Sequence, residues 1–175
     1  MPEGIYDIFN REGEKIGTAS WTDCHKKGLI HKTAELILFK DASKRETLIH
    51  KRSNETQHSP GEWQHAAGGH ITSGDTVEVG MRKEIQEELF HNAHAPDFAL
   101  REVSTFFNHD LLGNYEFSTI FEGIYPGPFF PNPEEIIGEP VWIAWDELLR
   151  DMRENPSQYS NAFHNVMGEY ILKRK

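Results

Sequence analysis

The chain has 175 residues, 37% of them hydrophobic with eleven Phe and four Trp, enough for one domain around a substantial core and too apolar for a disordered segment. Its net charge of −10 argues against a nucleic-acid partner, because a site for a phosphate backbone needs a basic patch. Cys24 is the single cysteine, so no disulfide can form within the chain, and neither a long apolar run nor a basic-then-apolar leader in MPEGIYDIFN is visible; a cytoplasmic protein with no membrane partner is the expectation.

In chain order, Ile5–Phe9 and Lys15–Ser20 flank Asn10-Arg11-Glu12-Gly13 and predict a hairpin. Ala34–Phe39 and Thr47–Lys51 predict a second strand pair around Asp41–Glu46. Pro60-Gly61 signals a turn, and Trp63–Gly68 predicts a short strand. A helix follows Gly74. Glu102–Phe107 and Tyr115–Gly123 are the next strands. In the second, Tyr115, Phe117, Thr119 and Phe121 alternate with Glu116, Ser118, Ile120 and Glu122, a period of two that only Ile120 breaks. Pro126–Pro133 holds four prolines in eight residues and predicts an extended loop. Val141–Trp145 predicts a last strand, Asp146 a cap for a helix through about Arg153, and a final helix runs from about Ser160 to Lys173. With no repeat and no linker, residues 1–175 read as a single α/β domain, a mixed sheet with helices on its faces.

The helix after Gly74 carries most of the chemical information. Asp75 or Thr76 can cap it, with Glu78 completing a variant capping box on Asp75. Val77, Met81, Ile85 and Leu89 form an apolar stripe at four-residue spacing. Glu84, Glu87 and Glu88 share one face beside that stripe, near the helix C-terminus. Like charges so placed repel by a few tenths of a kcal/mol per pair, roughly. The macrodipole disfavours them as well. A divalent cation would offset both costs, and an oxygen-only donor set suits Mg²⁺ or Mn²⁺.

Gly69, five residues, Asp75, seven residues, then Lys83-Glu84-Ile85-Gln86-Glu87-Glu88 resembles the Nudix box, G-x5-E-x7-R-E-U-x-E-E-x-G-U, with U bulky and apolar. Asp75 and Lys83 stand where that pattern has Glu and Arg, so the resemblance implies an ion pair with exchanged members. Lys cannot make the planar bidentate contact of Arg. Phe90 and His91 replace the box's last glycine and apolar residue, which predicts a helix running on to about Asn92. The resemblance implies an α/β/α sandwich and a metal site built from Glu84, Glu87, Glu88 and a backbone carbonyl of Gly68 or Gly69.

From about Tyr6 to Leu149 the order of motifs also resembles the branch containing type I isopentenyl-diphosphate isomerases: the hairpin, Gly28-Leu29-Ile30-His31, Lys51-Arg52-Ser53, Pro60-Gly61-Glu62-Trp63 and Gly69-His70. That likeness offers His25, His31, His70 and Glu116 as possible ligands of a second metal. It also places Gly68 where those isomerases carry a proton-transferring cysteine, and Asn114 where they carry a Glu. Carbon-acid chemistry needs an acid or base in that place. The box carboxylates are retained, so hydrolysis of a small-molecule diphosphate is expected, with a nucleoside diphosphate derivative as substrate. Glu84 or Glu116 would orient or deprotonate the water, Lys83 would position Glu84, and Lys51 and Arg52 would contact phosphate. Glu134 and Glu135 read as solvated loop charge. Isomerisation and a non-catalytic nucleotide-binding module are the alternatives.

Overall fold

The computed structural model describes residues 4–56, 58–109 and 114–174; the outer limits 1 and 175 expected for the domain lie outside these. A hairpin opens the chain, β1 (Ile5–Phe9) against β2 (Lys15–Ser20), as its turn residues predict. A short helix, α1 (Trp21–Lys27), follows directly. Its signals are present in the sequence. Ser20 Oγ accepts the Asp23 N–H at 3.2 Å, and Gly28 closes the helix at φ 61°. At seven residues it is too short for a periodic pattern to reveal it.

Among the described residues the main sheet has seven strands. β3 (His31–Phe39) lies parallel to β8 (Tyr115–Ile124), and β8 is antiparallel to β7 (Leu100–His109). The other edge of β3 is shared by two antiparallel partners, β6 (Ala67–His70) near its start and β4 (Glu46–Arg52) at its end. β4 also pairs with β5 (Trp63–His65) and β9 (Ile136–Ala144). The single strand expected over Trp63–Gly68 is therefore two. It breaks at Ala66 and changes partner from β4 to β3. That change brings Gly68 and Gly69 beside β3.

Helices cover both faces. α2 (Val77–Glu84) packs with Ala34, Leu36 and Leu38 through Met81, Ile85 and Leu89, the stripe read from the sequence. α3 (Trp145–Glu154) and α4 (Asn161–Lys173) enclose Ile37, Phe39, Ile49 and Ile120 on the other. This is an α/β sandwich on a mixed sheet, as expected. Residues 31, 33 and 35 share a face of β3 with Ile37 and Phe39. The strand thus buries its apolar end under α3 and α4 and turns its polar end, Thr33 and Glu35, to a cavity.

Of the two caps expected for α2, Thr76 is the one that forms, its Oγ1 accepting the Val79 N–H at 3.2 Å. Two local expectations need correction. Asp146 lies in the first turn of α3 and makes no cap; Ala144 occupies that position. Finally, α2 does not run on to Asn92. It passes into one π-helical turn, Ile85–Leu89, and stops. The proline loop accounts for the stop: Asn132 N donates to Glu88 O at 2.8 Å, and Phe130 N to Leu89 O at 2.9 Å. Those bonds satisfy carbonyls that a longer helix would have used. Phe90 is drawn into the core beside Tyr125 and Phe129. Among the described residues no helix is long and apolar enough to cross a membrane.

Candidate active site

A cavity of about 900 Å³ opens where the polar half of β3 meets β6, β8 and the end of α2. Glu84, Glu87 and Glu88 all line it. A Cβ built on Gly69 would lie 2.5 Å from Glu84 Cδ, so only glycine leaves room for this carboxylate. Glu88 is buried, and its Oε2 accepts the Gly68 N–H at 3.1 Å. Glu87 is exposed at the cavity wall.

Burial, reinforced by the neighbouring charge of Glu87, Glu35 and Glu135, pushes Glu84 up to about 8. Burial and Glu84 push Glu88 well above the usual range, against the pull of the Gly68 N–H and Arg52. Glu135 is thus part of the site's electrostatics and half-buried, not solvated loop charge, while Glu134 is exposed, as expected, at the same cavity's wall. The donors are all oxygen, confined, and short of positive charge. They fit a hard divalent cation, which would hold them ionised.

Beside this group stands a second. His25, His31, His70 and Glu116 each offer a ligand atom, all within 4.8 Å of one another. His25 Nδ1 donates to Trp21 O at 2.8 Å, and His31 Nδ1 to Leu29 O at 2.9 Å, which leaves Nε2 of each ring for a ligand. The Nε2 atoms of His31 and His70 are buried without a hydrogen-bond partner and lie 3.7 and 3.8 Å from Glu116 Oε1. Burial lowers His31 to about 4 and His70 well below its usual value, so both rings are neutral, the form that binds metal. The missed helix α1 is what delivers His25.

Glu116 is 5% exposed, not a solvent-facing strand residue. Asn114 Nδ2 donates to its Oε1 at 2.6 Å and Asn108 Nδ2 to its Oε2 at 3.2 Å, while Asn165 of α4 steadies Asn108 at 2.7 Å. Burial and the charge of Glu35 raise it to about 7, against those donors. The mixed nitrogen and oxygen set fits a first-row divalent ion such as Mn²⁺ or Zn²⁺.

Of the expected phosphate contacts, Arg52 reaches the cavity. It donates to His58 O at 3.0 Å and Gln64 Oε1 at 2.9 Å. Lys51 does not. Adjacent strand residues face opposite ways, and its ammonium lies 5.1 Å from the centroid of the Trp63 ring, away from the cavity lining. Lys83 lines the cavity and pairs with Asp75 at 2.5 Å, the exchanged pair expected.

Two residues escaped the sequence reading altogether. Glu35 lies within an apolar strand, ELILF, and His65 just before the glycines. His65 Nε2 meets Glu35 Oε2 at 2.9 Å with both side chains buried. A Cβ built on Gly68 would overlap that same oxygen and lie 2.6 Å from His65 Cε1. The signal available was a charged residue at an otherwise apolar strand position.

The family model of the NUDIX domain matches residues 30–163, and the chain belongs to the Nudix family. Among its relatives, isopentenyl-diphosphate Delta-isomerase 2 of Photorhabdus laumondii is 26% identical over 168 residues, 94% of this chain and 90% of that protein. Nudix hydrolase 3 of Arabidopsis thaliana is 24% identical across 97% of this chain but only 23% of its own length. A crystal structure of a Deinococcus radiodurans protein superposes with a TM-score of 0.76, 22% identity, and coverage of 95% of this chain and 99% of that one, a likeness of fold.

Proposed function

We propose that residues 1–175 form one Nudix domain that hydrolyses a diphosphate linked to another moiety, with a nucleoside diphosphate derivative as substrate, in the cytoplasm. The observation that carries this reading is the retained set of box carboxylates: Glu84, Glu87 and Glu88 all line the cavity, with Glu84 over Gly69 and Glu88 on the Gly68 N–H. Gly68 itself carries no acid or base.

Glu84, Glu87, Glu88 and the Gly68 carbonyl would hold Mg²⁺ or Mn²⁺. When bound, such an ion neutralises the diphosphate and lowers the pKa of water beside it. The chain's own groups do the rest. Arg52, already braced by Gln64 and His58, binds phosphate oxygens. Either Glu84 or Glu116 orients the water and accepts its proton at a carboxylate oxygen. Lys83, tied to Asp75, positions Glu84.

A second reading, isopentenyl-diphosphate isomerase, is favoured by the group of His25, His31, His70 and Glu116 and by the name of the Photorhabdus relative. A screen of nucleoside diphosphate derivatives with Mg²⁺ and with Mn²⁺, read by released phosphate products, tests the hydrolase. The expected outcome is turnover of at least one compound that disappears on chelation. No release from any of them would count against it.

A further inference from the structure

We propose that Glu35 is a fourth carboxylate ligand of the cation site on the box helix, held in position by His65. The inference rests on the reading that Glu84, Glu87 and Glu88 bind a divalent cation.

The placement comes from strand register. Glu35 of β3 lies directly opposite Gly68 of β6, and Ala34 opposite Gly69. Two carboxylates therefore meet at Gly68: Glu35 Oε2 occupies the space above it, and Glu88 Oε2 accepts its N–H. The Glu84 carboxyl covers Gly69 on the other face of β6. The two at Gly68 arrive from separate elements, β3 and the box helix, so their meeting is not a consequence of helical spacing.

Glu35 is only 6% exposed, and a buried carboxylate is costly unless paired. His65 meets one of its oxygens. The imidazole is fixed in turn, because its Nδ1 donates to Ala67 O at 3.0 Å. A carboxylate held on one oxygen by a locked ring, with the group facing a polar cavity, is the arrangement that supports a metal ligand. Glu35 lines the same cavity as Glu84, Glu87, Glu88 and Glu116.

The alternative is that Glu35 merely completes a buried pair with His65. Mn²⁺ titration of the full chain separates the two, by calorimetry with electron spin-echo spectroscopy of the bound ion. Strong coupling to directly bound nitrogen marks ions held by the histidine group; an ion on carboxylates lacks it. Glu35→Gln keeps the shape and removes the charge. It should weaken the carboxylate site at least tenfold and change the nitrogen-coupled site, whose Glu116 feels the same charge, by much less. Glu35→Asp keeps the charge and shortens the reach, and should weaken the same site, which preserves the test if the Gln variant fails to fold. Glu88→Gln is the reference. If it weakens Mn²⁺ binding while both Glu35 variants bind as the parent does, Glu35 is structural and the inference is overturned. If Glu88→Gln also changes nothing, the cation site on the box helix is itself wrong.

Discussion

Lys83 and Asp75 show how little stability has to do with the importance of a contact. Their ion pair is 2.5 Å long, with the Lys side chain 51% exposed and the Asp 20%. A pair this open contributes about 0–1 kcal/mol. Yet Lys83 immediately precedes Glu84 on the last turn of α2, and misplacing a catalytic group by about 1 Å can cost roughly a hundredfold in rate. Lys83→Ala should therefore lower turnover of the true substrate far more than it lowers the melting temperature. Lys83→Arg should retain or raise activity, since Asp75 is already within reach of this position. Parallel kinetics and thermal melts check this, and an unchanged rate in Lys83→Ala would make Lys83 an ordinary surface residue.

Among the elements, the box helix was the most legible and its end the least. The stripe of Val77, Met81, Ile85 and Leu89 announces which face packs, and the structure packs that face. What stops the helix lies forty residues on, where Phe130 and Asn132 of the proline loop donate to the carbonyls of Leu89 and Glu88. No local pattern encodes such a bond. Phe90 follows from it: it stands where the resembled box has glycine, and it is 1% exposed in the core. Phe90→Ala should destabilise the chain by about 3–5 kcal/mol, the cost of a large buried ring, measurable by urea unfolding. A loss under about 1 kcal/mol would show that the ring is not the anchor of this junction. Glu84, Glu88 and the histidines were readable from motif spacing. Glu35 was not, because its function depends on a register between β3 and β6 that arises only when the strand predicted over Trp63–Gly68 splits in two. Lys51 was misassigned for a simpler reason: beside Arg52 on one strand, it faces the other way.

At the scale of the whole molecule, stability is set against the site. Burial holds His31, His50 and His70 below their usual pKa, to about 4 for His31 and about 3 for His50. Groups of that kind bind more protons unfolded than folded, so they add stability as pH rises to about 6.5 and nothing further above it. Glu84, Glu88 and Glu116 are raised, to about 8 for Glu84 and about 7 for Glu116. They bind more protons when folded, and their contribution is lost as pH rises through those values. Between pH 6.5 and 8, about the window in which only the carboxylates act, the melting temperature of chelated protein should fall, and saturating Mg²⁺ should remove the fall. A flat profile in chelator would contradict these shifts. The central claim concerns which bond the same cavity changes. Incubation of the full chain with isopentenyl diphosphate and Mn²⁺, followed by proton and phosphorus NMR, addresses it directly. Because Gly68 carries no acid or base and the box carboxylates are retained, the account predicts no dimethylallyl diphosphate. Its formation at rates well above background would contradict the assignment as a diphosphate hydrolase.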